Sequence, residues 1–219
     1  MHPGPEACQP AAIIRRMLAK LMSLFLLGLI RFLTGAQARW HGCPPKAEQR
    51  IYFANHQSHA DLVMIWAALP EELRSITRPI AARDYWTKSD FKRWITTAVF
   101  NAVYVDRERQ GDEDPLQPLI DALQSGDSLI IFPEGTRGHA AEPQAFKAGL
   151  YNLALRFPDV VLVPAWIANV QRVMPKGEVV PVPVLCSVTF GAPIRLEPGE
   201  ERRAFLDRAR AAVIALRDV

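Results

Sequence analysis

A chain of 219 residues that is 49% hydrophobic and carries a formal net charge of +3 fits one sizeable α/β domain, or a smaller domain with an appended membrane element, and needs no second domain. The charge is too small, and Lys and Arg too scattered, for a nucleic-acid surface, so no nucleic-acid partner is expected. Cys8, Cys43 and Cys186 are widely spaced and odd in number, which gives neither a disulfide framework nor a structural zinc spacing and makes a reducing compartment the simpler reading.

Prolines at 3, 5 and 10 mark a flexible lead. From Ile13 to Leu33 the chain is apolar, yet Arg16, Lys20, Ser23 and Arg31 recur at offsets of 4, 3 and 8 and share one helical face. The uncharged stretch Leu21 to Ile30 is ten residues, well short of the roughly 20 that a bilayer-spanning helix needs. The pattern predicts a monotopic helix on the cytoplasmic face of the membrane. Its cations would meet headgroups while Leu24, Phe25, Leu29 and Phe32 enter the acyl region. Two alternatives remain. One is a cleaved secretory signal ending at Ala36-Gln37-Ala38, against which the late Arg31 argues; the other is an ordinary amphipathic helix packed on the domain.

Pro44-Pro45 and the polar run from Lys46 to Arg50 read as a connector. Residues 1–45 are thus the lead and interface helix, and 46–219 the folded domain. Runs rich in Ile, Val, Phe and Tyr predict strands at 51–54, 78–82, 102–105, 128–132, 160–164 and 184–190. Helical spacing fills 60–69, 88–100, 115–124, 146–156 and 200–217. The alternation implies an α/β fold: a mixed, mostly parallel central sheet flanked by helices, with sites beyond the carboxyl ends of strands.

Two such ends carry chemistry. Ile51-Tyr52-Phe53-Ala54 runs into Asn55-His56-Gln57-Ser58-His59-Ala60-Asp61. If His56 lies in a loop before a helix and Asp61 in that helix's first turn, the pair would serve as a general base and its orienter. The ordinary reading of Asp61 is a favourable interaction with the helix dipole. A metal reading would use His56, His59 and Asp61, but the i, i+4 His pair with a neighbouring Glu of helical zinc hydrolases is absent. Further on, Ser128-Leu129-Ile130-Ile131-Phe132 enters Pro133-Glu134-Gly135-Thr136-Arg137, a turn whose guanidinium, hydroxyl and backbone N–H groups suit a phosphate. Glu134 could orient Arg137 or accept from a polyol hydroxyl, and a surface Glu/Arg pair is the ordinary alternative. Arg107, after Val103-Tyr104-Val105-Asp106, is a second anion candidate, with Asp106 as its possible partner; Lys147 is a weaker one. Aromatic and basic residues interleave from Arg83 to Trp94, which suits a membrane interface.

These blocks, in this order, resemble the bacterial 1-acylglycerol-3-phosphate acyltransferase family across roughly residues 50–195. Asn55-His56 through Asp61 is similar to the family's His-x4-Asp block, Tyr104-Val105-Asp106-Arg107 to its second, Phe132 through Arg137 to its third and Val163-Pro164-Ala165 to its fourth; Phe146-Lys147-Ala148-Gly149 resembles the stretch that follows the third. The resemblance implies that residues 46–219 are an acyltransferase domain acting without metal, cofactor or covalent acyl-enzyme. His56 would take the acceptor hydroxyl's proton as it attacks the thioester of acyl-CoA or acyl carrier protein, and Asp61 would hold His56. Arg107, Glu134, Gly135, Thr136 and Arg137 would bind the acceptor, most simply lysophosphatidic acid. Membrane lipids are the implied partners. Two departures, the absence of Pro and Gly from 86–102 and the indole of Trp166, leave another lysophospholipid acceptor open. A noncatalytic lipid-binding protein is the alternative of another class.

Overall fold

The computed structural model describes residues 10–35, 37–58, 60–106, 114–138, 140, 142–168 and 186–219. Strand β2 (Arg50–Ala54) runs through the middle of the sheet with all its residues buried. Its alternation sends Tyr52 and Ala54 into one core layer and Ile51 and Phe53 into the other. Around it lie β1 (Gln37–Trp40), β3 (Thr77–Ala82), β4 (Val103–Val105), β5 (Ser128–Ile131), β6 (Val161–Ala168) and β7 (Ser187–Phe190), in the order β1-β7-β6-β2-β5-β3-β4. Neighbours are parallel except for β6 and β7, which are antiparallel. A mixed, mostly parallel sheet follows, as the alternation of patterns implies.

One layer holds α1 (Pro10–Thr34), α2 (Asp61–Ala68) and α3 (Glu71–Ser75), whose Leu26, Ile30, Ile65, Trp66 and Leu73 share a core with Tyr52, Ile130 and Val163. The other holds α6 (Gln117–Gln124), α7 (Gly149–Arg156) and α8 (Arg202–Ile214), packed through Leu119, Leu123, Leu150, Phe205 and Val213. Short helices α4 (Arg83–Trp86) and α5 (Asp90–Trp94) leave the end of β3 and continue into a π-helical turn, Ile95–Val99. One continuous helix over 88–100 was expected. The departure has a local cause: Thr96 and Thr97 hydroxyls donate to carbonyls a turn back, at Lys92, Arg93 and Trp94, which loosens helical regularity. Thr96 also bonds the Tyr104 hydroxyl on β4.

Strand β1 has little strand propensity of its own and lies within the segment read as lead and interface helix. Tertiary pairing recruits it: it runs parallel to β7, with Trp40 stacked on Phe190 at 4.2 Å. It begins three residues after α1 ends. Gly35, at φ 65°, closes the helix by donating its N–H to the Arg31 carbonyl at 2.9 Å.

Helix α1 is apolar on two opposite faces. Leu26, Leu27 and Ile30 are half-buried against the domain, whereas Met17, Leu21, Leu24 and Phe25 are exposed, and Phe32 is 85% exposed. Arg16, Lys20 and Arg31 are exposed along one flank between the faces. Among the described residues no helix is long and apolar enough to cross a membrane. His59, Arg107 and the turn Val173–Glu178 lie outside the described residues.

Candidate functional site

Just beyond β2 lies Asn55, whose buried side chain extends the sheet by one rung. Its Nδ2 donates to the Ile167 carbonyl at 3.1 Å, and its Oδ1 accepts from the Ile167 N–H at 2.8 Å. With the β6 edge thus satisfied by a side chain, the main chain turns out of the sheet and presents His56 at the carboxyl ends of the strands.

The His56 backbone is held on both sides, its N–H by Glu134 Oε1 at 2.7 Å and its carbonyl by the Gly138 N–H at 2.8 Å. Its ring stacks on Phe132, centroids 4.3 Å apart at 17°. The Nδ1 atom lies 2.9 Å from Asp61 Oδ2. That same oxygen accepts from the N–H groups of Gln57 at 2.6 Å and Ser58 at 2.8 Å. Asp61 is the first residue of α2 and only 1% exposed, so a carboxylate without solvent is balanced by three donors. A carboxylate at Nδ1 fixes the tautomer that carries hydrogen there and leaves the lone pair on Nε2. For the metal reading, Asp61 Oδ2 is already engaged by these donors, and His59, its third ligand, lies outside the described residues.

The third block, Phe132–Arg137, forms the turn after β5. Glu134 is 2% exposed, and both its oxygens accept from backbone: Oε1 from His56, and Oε2 from the Gln144 N–H at 2.7 Å. Burial pushes its carboxyl above the usual range, and the two backbone bonds oppose that push. Its carboxylate therefore ties the base's loop to the loop at Gln144, rather than pairing with Arg137. Gly135 sits at φ 71°, and a Cβ there would lie 2.6 Å from Lys147 Nζ. The lysine side chain crosses the space that this glycine leaves open, and its backbone N–H is fixed to the Pro133 carbonyl at 2.9 Å. Gly135, Thr136, Arg137 and Lys147 are exposed, and Arg137 has no ion-pair partner among the described residues.

A cavity of about 280 Å³ joins the two blocks. His56, Gly135, Arg137, Lys147 and Asp106 form its polar side. Its remainder is mainly apolar, with Ile80, Trp86, Leu116, Leu119, Leu150 and Leu153 beside Tyr85. Asp106 pairs with Arg83 at 3.1 Å, and the Arg83 guanidinium lies over the Tyr104 ring at 5.5 Å. Lys147, only a weak candidate in the sequence, shares the cavity with Arg137; the glycine needed opposite it is the signal that identifies it. Trp166, in the fourth block, is buried in the layer under α8, away from the cavity lining.

The arrangement can remove a proton beside an apolar slot and hold an anion at its rim. The chain is similar to 1-acyl-sn-glycerol-3-phosphate acyltransferase alpha of Homo sapiens, 29% identical over 205 residues covering 90% of this chain and 69% of that protein. A protein of Dictyostelium discoideum named Taffazin is 30% identical over 145 residues, 61% of this chain and 49% of its own length. The crystal structure of the 1-acyl-sn-glycerophosphate (LPA) acyltransferase PlsC from Thermotoga maritima has the same fold, with a TM-score of 0.68, 22% identity, and coverage of 95% of this chain and 82% of that one. Residues 41–168, which hold His56, Asp61 and the Phe132–Arg137 turn, match the family described as Acyltransferase. This chain belongs to the acyltransferase family.

Proposed function

We propose that this chain transfers a fatty acyl group from acyl-CoA or acyl carrier protein to the free hydroxyl of lysophosphatidic acid, giving phosphatidic acid. The observation that carries the reading is the 2.9 Å contact between His56 Nδ1 and Asp61 Oδ2, at the edge of a cavity that is cationic on one side and apolar on the other. His56 Nε2 takes the hydroxyl proton as the oxygen attacks the thioester carbonyl, and Asp61 stabilises the resulting imidazolium. The tetrahedral intermediate collapses with cleavage of the C–S bond, and the imidazolium returns its proton to the departing thiolate. The donor enters as a substrate, and no resident cofactor takes part.

Arg137 and Lys147, with the hydroxyl of Thr136 and the opened backbone at Gly135, bind the acceptor's phosphate. Arg107 is a further cation for the same group. Glu134 acts through the main chain of His56 rather than on the acceptor. The exposed apolar face of α1 lies in the bilayer interface at the cytoplasmic side, where acceptor and product reside.

The test is release of free thiol from acyl-CoA and from acyl carrier protein, with lysophosphatidic acid and neutral monoacylglycerol as acceptors. His56→Ala should lose about 10²- to 10⁴-fold. Undiminished turnover in that variant would remove the base from the mechanism.

A further inference from the structure

Glu134 holds the main chain of His56 with one oxygen and rests its other on a segment with no ladder of its own. Residues 143–147, which carry Gln144 and Lys147, belong to no helix or strand. The Gln144 N–H that meets Glu134 Oε2 at 2.7 Å and the Pro143 carbonyl are the two ends of one peptide unit. That carbonyl accepts from Arg210 Nε at 2.8 Å, 67 residues on in sequence. Arg210 comes from α8, whose Phe205, Ala209 and Val213 are fully buried in the core layer with Ile51 and Leu162. The guanidinium therefore starts from a fixed support.

A peptide unit is planar and rigid, so a hold on its carbonyl also sets the direction of its N–H. Here the carbonyl faces a cation and the N–H faces a carboxylate, the sense that favours the peptide dipole at both ends. Bonds in such a chain polarise one another, and the guanidinium makes the Gln144 N–H the stronger donor. Glu134 needs strong donors, because it is 2% exposed and burial works against its charge. Arg210 also makes a surface ion pair: its Nη2 lies 3.2 Å from Glu142 Oε2, and Arg217 shares that carboxylate. Glu142 is exposed, and such pairs contribute little. The carbonyl bond is the shorter of the two, and Pro143 is buried.

We propose that Arg210 is a positioning residue for the reaction: through the Pro143–Gln144 peptide it holds the Glu134 carboxylate, and through Glu134 the main chain of His56. Helix α8 lines no part of the cavity, yet by this relay it sets where the base stands. The relay stands on the hydrogen bonds alone, and its effect on turnover rests on the acyl-transfer reading.

The experiment compares the parent with Arg210→Met, Glu142→Gln, Glu134→Gln and the Arg210→Met/Glu134→Gln double variant, by thiol release with lysophosphatidic acid and by amide hydrogen exchange. Arg210→Met should lower kcat about 3- to 10-fold, the worth of roughly one hydrogen bond, and leave the acceptor KM within about twofold. Glu142→Gln keeps the carbonyl bond and should hold kcat within about twofold of the parent. The double variant should be no slower than the slower single one, because both substitutions break the same chain. Exchange in Arg210→Met should quicken about fivefold or more at Gln144 and His56 relative to the amides of β5. Losses that multiply in the double variant overturn the relay, as does a loss confined to the acceptor KM. Equal quickening at Gln144 and in β5 leaves Arg210 a role in stability alone and overturns it too. A parent that releases no thiol refutes the acyl-transfer reading, and the exchange pattern then decides the relay by itself.

Discussion

Three donors converge on one oxygen of Asp61: His56 Nδ1, the Gln57 N–H and the Ser58 N–H. An asparagine at position 61 can therefore settle in only one sense, with its carbonyl oxygen in that place, because its NH₂ group would face three N–H groups. The loop stays capped and the Nδ1–H tautomer is kept. What Asp61→Asn removes is the charge that stabilises the imidazolium. A hydrogen bond to a charged group is worth about 1.5–3 kcal/mol and a neutral one about 0.5–1.5, so the loss is roughly 1–2 kcal/mol, or about 5- to 30-fold in turnover. Asp61→Ala also strands the Gln57 and Ser58 amides, at about 1–3 kcal/mol each, and frees the ring. It should fall by a further order of magnitude or more and unfold earlier. Thiol release at saturating substrates, with thermal unfolding in parallel, measures both. If Asp61→Asn is as inactive as Asp61→Ala while its unfolding is unchanged, the argument from convergent donors is wrong.

Glu134→Gln sets an NH₂ group against one of two backbone donors and should cost about 1–3 kcal/mol in urea unfolding. The carboxyl's folded value is raised above 4.5, so its favourable contribution is complete below that pH and is lost as pH rises through the raised value. The parent's advantage over Glu134→Gln should accordingly narrow from acid to neutral pH, and widening would contradict the assignment. Gly135→Ala places a methyl against Lys147 Nζ and should raise the acceptor KM several-fold, as should Lys147→Met. The double variant should be no worse than the poorer single one if both act through the same ammonium. Arg137→Ala should lose roughly 10-fold or more in kcat/KM on phosphate-bearing acceptors, with equal loss on a neutral acceptor counting against phosphate binding. Phe25→Ser with Phe32→Ser should weaken vesicle binding by about 1.5 kcal/mol or more per ring while leaving unfolding unchanged, because both rings are exposed.

The strands that bear the site were legible because Ile51–Ala54 and Ser128–Ile131 are apolar runs that stop abruptly at polar residues, the pattern of buried parallel strands. The closeness of His56 and Asp61 was also legible, since a helix beginning at Asp61 folds the chain back. Three features depended on contacts distant in sequence. Gln37–Trp40 is a strand only because β7 supplies an edge. Glu134 looked available to a ligand, but the direction of a carboxylate in a tight turn depends on which amides surround it, here His56 and Gln144. Asp106 had a neighbouring arginine in sequence, yet the structure pairs it with Arg83 across the sheet end.

The passage from α1 to β1 governs how the domain meets a surface. A glycine cap closes the helix, and the edge strand starts three residues after the helix ends. There is no long tether on which the domain could swing. If α1 lies flat in the interface as proposed, the sheet inherits that helix's orientation, and the mouth at His56 stands at a fixed depth and tilt relative to the lipid headgroups. A longer leash would let the catalytic domain sample many heights. Under that reading, this short one makes headgroup packing in the contacted leaflet a direct determinant of which glycerol hydroxyl comes level with the imidazole.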